Sequence, residues 1–171
     1  MQAGNRAQSD ERLERAWCVV ATVPDPEIPV LTVVDLGIIR SIEPQGDHGL
    51  RVAVSPTYSG CPATAVIHAS IEEALQEAGY SPVQVRSVLS PPWSSDWISE
   101  AGRDKLRAYG IAPPQRPVGS TRALLHPQAA IACPRCESVH TSRISEFGST
   151  PCKALYRCED CREPFEYFKC F

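Results

Sequence analysis

The sequence predicts an α+β fold, a small sheet with helices packed on one face, followed by a small all-β module. Three observations carry that prediction. Helix-like and strand-like stretches alternate as far as residue 110, prolines crowd residues 111–131, and the last quarter holds two Cys-x-x-Cys pairs separated by strand-forming residues. A chain of 171 residues that is 43% hydrophobic has room for one ordinary domain and one small one. The expected division is a domain over residues 1–110, a linker over 111–131 and the all-β module over 132–171.

Residues 10 to 22 carry Leu13, Ala16, Trp17 and Val20 at helical spacing behind Asp10, a candidate N-cap. Pro24, Pro26 and Pro29 then deny the backbone both helix and ladder hydrogen bonds, so this stretch reads as a rigid extended loop. Val33 to Ile42 is rich in branched residues and broken by Gly37, which predicts a kinked strand. The turn Gln45-Gly-Asp-His-Gly49 leads into the alternating strand Leu50–Val54 and makes a hairpin of the two.

A small-residue loop ending at Cys61-Pro62 precedes a helix over 63–78 that Gly79 stops. Val83–Leu89 reads as a third strand, Pro91-Pro-Trp93 as a breaker, and Asp96–Tyr109 as a third helix ended by Gly110. Pro113, Pro114, Pro117 and Pro127, with few regularly spaced apolar residues among them, mark the linker. Beyond it Val139–Ile144, Ala154–Arg157 and Phe165–Phe168 are candidate strands.

Charge and composition exclude several functions. The N-terminal segment has no apolar run suited to secretion and no stretch reaches the length of a membrane span, so the expected compartment is the cytoplasm and the expected partners include no membrane. Net charge is -3 and no basic block stands out, which argues against nucleic acid. In a reducing compartment eight cysteines are mostly thiols, and clustered ones read as metal ligands rather than disulfides.

Cys133-Pro-Arg-Cys136 and Cys158-Glu-Asp-Cys161 have the spacing for chelation. Two thiolates on one tight turn take adjacent corners of a tetrahedron, and a second turn supplies the other two. Cys133, Cys136, Cys158 and Cys161 are therefore assigned a structural Zn(II) and the module is read as a zinc ribbon, with iron of the rubredoxin kind as the alternative. A closed site of four sulfurs folds a module and leaves no position for catalysis. Cys152, Cys170 and His140 are spare candidates, the two cysteines being read first as buried small hydrophobes.

Cys61 stands alone before a helix start, where free N–H groups favour thiolate and make it a candidate reactive thiol or soft-metal ligand; the plainer reading is a packing residue. Asp25 and Glu27 sit on the stiff proline loop and Asp35 follows, as candidate cation ligands or as ordinary turn formers. Cys18 is read as structural, His68 as a packed or surface residue, and His48 and His126 receive no role. A thiol enzyme built on Cys61 lacks a recognisable His and acid beside it in sequence.

The motifs Asp25-Pro-Glu-Ile-Pro29, Asp35-Leu-Gly37 and Thr57-Tyr-Ser-Gly-Cys-Pro62, in that order, resemble the SufT-type metal-sulfur cluster biosynthesis domain. The knuckles together with Phe147-Gly-Ser-Thr-Pro-Cys-Lys-Ala-Leu-Tyr156 and Phe165-Glu-Tyr-Phe-Lys-Cys170 are similar to the PaaD family, accessory proteins of the bacterial phenylacetyl-CoA epoxidase system. The resemblance implies a non-catalytic protein of aerobic phenylacetate breakdown that matures or delivers an iron-sulfur or di-iron centre. It implies a labile iron-sulfur cluster or iron on Cys61, shaped by Asp25 and Glu27, with a homodimer as one way to complete the site. The implied partners are the oxygenase and reductase components of the epoxidase. The alternative is a stable subunit that docks oxygenase to reductase.

Overall fold

The computed structural model describes residues 2–58, 60–115 and 130–170, and divides into two compact units, Met1–Trp93 and Ser94–Phe171.

In the first unit, helix α1 (Gln2–Val20) is followed by the hairpin of β1 (Ile39–Gln45) and β2 (Gly49–Val54), then α2 (Thr64–Glu77) and β3 (Val83–Ser87). The sheet order is β1-β2-β3. β1 and β2 pair antiparallel with a bulge between Ile39 and Ser41, whereas β3 returns parallel to β2 through α2, the crossover that parallel pairing requires. Helix α1 packs on α2 and β1, and α2 on β3. Ala16 and Val20 of α1 and Ile67, Ile71 and Leu75 of α2 are buried with Leu50 and Val52 of β2. The expected α2 stripe through Ala65, Val66, Ala69 and Ala78 is exposed, and the buried face runs through Ile67 instead, with Ile71 and Leu75 as expected.

Several expectations change in the structure. Helix α1 begins at Gln2, well before Asp10, and Trp17 is 37% exposed, so the buried stripe runs through Ala16 and Val20. Val33 to Gly37 is a set of turns and not a strand: Asp35 accepts hydrogen bonds from the Thr32 backbone N–H at 2.9 Å and its hydroxyl at 3.0 Å, and Gly37 has φ 65°. The branched residues Val33, Leu36 and Ile38 are buried there all the same, their hydrophobicity serving a packed loop. Trp93 locks this loop by donating its indole N–H to the Leu36 carbonyl at 2.9 Å.

The second unit contains helix α3 (Glu100–Tyr109), the two-residue strand β4 (Ile111–Ala112), and β5 (Thr141–Ser145), β6 (Lys153–Cys158) and β7 (Pro164–Phe168). Helix α3 starts at Glu100 and not at the expected Asp96, because Ser99 caps it by accepting from the Gly102 N–H and Ser95–Trp97 forms a separate short turn. Gly110 ends it in the left-handed conformation, as its sequence signals. The sheet order is β4-β7-β6-β5, with β4 parallel to β7 and the remaining pairs antiparallel. Helix α3, which the sequence assigns to the first domain, belongs to this unit because it packs on β4 and β4 pairs with β7. The expected linker thus starts as a strand, while its residues 116–129, His126 included, lie outside the described residues. Among the described residues no helix is long and apolar enough to cross a membrane.

Candidate metal centre

The two knuckles fold identically. In each, the N–H of the first cysteine donates to the carbonyl five residues on: Cys133 to Ser138 at 2.9 Å, Cys158 to Glu163 at 3.0 Å. In each, the residue after the second cysteine is left-handed, Glu137 at φ 61° and Arg162 at φ 66°. That twist brings the next backbone N–H back onto sulfur, Ser138 onto Cys136 and Glu163 onto Cys161. Thr141 of β5 pairs with Cys158 of β6, and the Glu159 N–H donates to the His140 carbonyl at 2.8 Å, so the sheet holds the turns face to face.

The result is four sulfurs all within 4.8 Å of one another, with Cys133 to Cys161 at 3.8 Å and Cys136 to Cys158 at 3.5 Å. A tetrahedral zinc with Zn–S bonds of about 2.3 Å has S···S edges of about 3.8 Å, so the donor set fits structural zinc. Cys133 and Cys158 are buried against Ala112, Ala154, Phe165 and Tyr167, whereas Cys136 faces solvent. Crowding splits the thiols: N–H groups of Cys161 and Asp160 draw Cys158 down to about 7. On Cys136 the Ser138 N–H pulls down, but the neighbouring sulfurs and burial outweigh it and push the thiol up to about 12. One sulfur of the set is thus readily ionised, the charge state a metal requires.

The spare candidates fall outside this cluster. The His140 ring lies 3.4 Å from Asp160, which also accepts from the Ser138 hydroxyl, so it braces the knuckles. Cys152 is buried beside the Thr150 hydroxyl at 3.0 Å, as a small packed residue. Cys170, read as buried, is exposed, with its sulfur 3.1 Å from the Tyr167 hydroxyl.

Sequence reasoning missed the polar pair beneath the Phe147–Tyr156 motif. Lys153, only 3% exposed, meets Glu166 at 2.8 Å across β6 and β7, and Glu166 also accepts from the Ser149 N–H. Burial would raise the Glu166 carboxyl, but the bonds from Lys153 and Ser149 hold it below the usual range. A Cβ on Gly148 would stand 2.6 Å from the Glu166 oxygen, so glycine gives this pair its room. No local signal marks such a pair, whose partners sit on different strands.

In the first unit Cys61 is half-buried in the loop before α2, its N–H donating to the Tyr58 carbonyl at 3.0 Å. The expected thiolate-favouring environment is reversed. Burial pushes the thiol up, and the charges of Glu27 and Asp25 push the same way, against the N–H of Ala63 and the hydroxyl of Thr64. The proline loop therefore does bring both carboxylates into the field of Cys61. Asp25 is buried and also shapes its own turn, accepting from the N–H groups of Glu27 at 2.9 Å and Ile28 at 2.8 Å. Cys18 is exposed on α1 instead of packed. His68 lies on α2 3.4 Å from the Ser87 hydroxyl, and burial lowers its pKa.

Comparison with known proteins matches the same two regions. Residues 14–86 match the family described as iron-sulfur cluster assembly protein, and residues 117–169 match the PaaD zinc beta ribbon domain. A protein of Escherichia coli (strain K12) designated as one of the subunits of a 1,2-phenylacetyl-CoA epoxidase is 51% identical over 159 residues, 93% of either chain. An Fe-S protein maturation auxiliary factor of Porphyromonas gingivalis is 32% identical over 54% of this chain and 86% of its own. The crystal structure of a domain of unknown function from Bacillus anthracis superposes with a TM-score of 0.54 at 22% identity, over 58% of this chain and 96% of that one, and supports the first unit's fold. The chain belongs to the PaaD family of phenylacetyl-CoA epoxidase accessory proteins, an iron-sulfur assembly domain followed by a zinc ribbon.

Proposed function

We propose that this chain matures or delivers a metal centre, iron-sulfur or di-iron, to a phenylacetyl-CoA epoxidase, and is itself not catalytic. The observation that carries the reading is the joining, in one chain, of an iron-sulfur assembly domain to a PaaD ribbon, in register over 93% of a relative designated as an epoxidase subunit. The clients are the oxygenase and reductase components, met in the cytoplasm, where thiols stay reduced.

The two sulfur environments divide the work. A carrier needs ligands strong enough to hold iron and too few to keep it. Cys61 supplies one soft ligand, and the carboxylates that oppose its ionisation favour a cation beside it. Asp25 and Glu27 thus draw the metal whose binding displaces the thiol proton. A second copy's Cys61, or a client's ligand, completes the coordination. The ribbon's closed site serves as scaffold and docking module.

The test is to produce the epoxidase components with the wild-type chain or with Cys61→Ser, and to measure iron, sulfide and epoxidation. Loss of iron from a client with Cys61→Ser, while its polypeptide and the ribbon's zinc persist, is the expected result. Full loading and activity would remove Cys61 from the mechanism.

A further inference from the structure

A basic cavity in the first unit belongs neither to the Cys61 loop nor to the ribbon. It measures about 440 Å³ and is walled by Arg12, Arg15 and Val19 of α1, His48 of the β1–β2 turn, and Ala78 to Tyr80 after α2. Positions 12, 15 and 19 share one face of a helix, so α1 offers two guanidinium groups to the same space.

Arg12 is held in place. Its Nη atoms donate to the carbonyls of Asp47 and, at 2.8 Å, Gly49; its guanidinium lies 5.8 Å over the Tyr80 ring, and the Tyr80 hydroxyl donates to the Arg12 carbonyl at 2.9 Å. These acceptors are neutral carbonyls, and three of the five guanidinium N–H donors are uncommitted to them. Arg15 makes no ion pair among the described residues, and no acidic residue lines the cavity. Such a wall is unlike the rest of a chain whose net charge is -3.

The geometry points to a binding site for an organic oxyanion, a phosphate or carboxylate head on a flat or apolar body. Arginine pairs suit oxyanions because their planar donor forks match them. A pinned guanidinium loses little freedom on binding. Val19, Ala78 and the Tyr80 ring supply the apolar surface for the body. The guanidinium groups of Arg12 and Arg15 place the head against them and the body toward Val19 and Ala78 to Tyr80. The volume is that of an ordinary small-molecule site. This assignment goes beyond the maturation role and does not depend on it.

The test follows backbone amide resonances of the full zinc-loaded chain during titration with AMP, benzoate and inorganic phosphate, each to about 10 mM at low ionic strength. Arg15, Val19, His48 and Tyr80 should shift together with AMP or benzoate, the better of the two identifying the head group. Inorganic phosphate, which lacks the body, should bind more weakly. Arg15→Ala should weaken binding about tenfold and His48→Gln less, while Arg86→Ala, on exposed β3, should leave it unchanged. If neither AMP nor benzoate moves these amides, or Arg15→Ala binds like wild type in a chain with an otherwise native spectrum, the site does not exist.

Discussion

Four thiols close on one another in the second unit, and in the first a single thiol stands in the field of two carboxylates. Both are sulfur sites, yet their surroundings set opposite chemistry. In the ribbon, the N–H groups of Cys161 and Asp160 draw Cys158 down while the neighbouring sulfurs raise Cys136, and the four together form a closed donor set suited to a structural metal. Around Cys61, burial and acidic neighbours raise the cost of thiolate, so under the proposed carrier role an incoming metal displaces a proton. On the proposed division of roles, scaffold and carrier differ first in the number of sulfurs, four against one, and then in the carboxylates that only Cys61 has beside it.

The sharpest break in this comparison is Cys158→Ser. It removes a fully buried ligand, so zinc content should fall from about one per chain toward none, and most of the roughly 10–16 kcal/mol that such a metal contributes should go with it. Hydrogen exchange should show β5 to β7 unprotected while β1 to β3 keep their protection. Unchanged protection in the metal-free ribbon would refute the scaffold role.

A smaller loss follows from Glu166→Gln, which strands the buried Lys153 charge and should cost about 3 kcal/mol in denaturant unfolding. In the wild type this carboxyl is held below its ordinary value of about 4.3. Its contribution is therefore complete above that value and disappears as pH falls through the lowered one. Gly148→Ala displaces the same carboxylate and should cost about 1–2 kcal/mol, read as a lower unfolding midpoint. If both variants unfold like wild type, the polar pair adds nothing to what zinc already holds.

The opposite outcome is expected at Cys61. Cys61→Ser should change stability by no more than about 0.5 kcal/mol, since the residue is half-buried and fills no large core position, while client loading fails. The smallest effect is kinetic. Glu27→Gln removes one of the charges that hold the thiol protonated, so alkylation of Cys61 by iodoacetamide at pH 8 should quicken a few-fold. An unchanged or slower rate would mean that Glu27 exerts no field there.

Much of this is legible in the chain. The ribbon ligands can be read because chelation by a tight turn is a local property, and Cys-x-x-Cys states it outright. The hairpin, α2 and the C-terminal end of α3 can be read because their turn and cap residues lie within a few positions of what they govern. The Cys61 environment escapes for the converse reason: helix-start reasoning sees only the next turn, and the carboxylates come from a loop more than thirty positions earlier. Lys153 with Glu166 is invisible in sequence because charge on a strand ordinarily means solvent. Val33 to Gly37 misleads because branched residues signal burial as well as strand, and here they signal only burial.

The pairing of β4 with β7 has a practical consequence for anyone dissecting the chain. Ile111 and Ala112 cover an edge that the other three ribbon strands leave open, and they come from before the zinc-ribbon match begins at residue 117. A fragment cut to that family boundary keeps all four zinc ligands and β5 to β7, but bares the backbone donors and acceptors of β7 beside Phe165 and Tyr167. Bared strand edges recruit other strands, so such a fragment would load metal correctly and still self-associate.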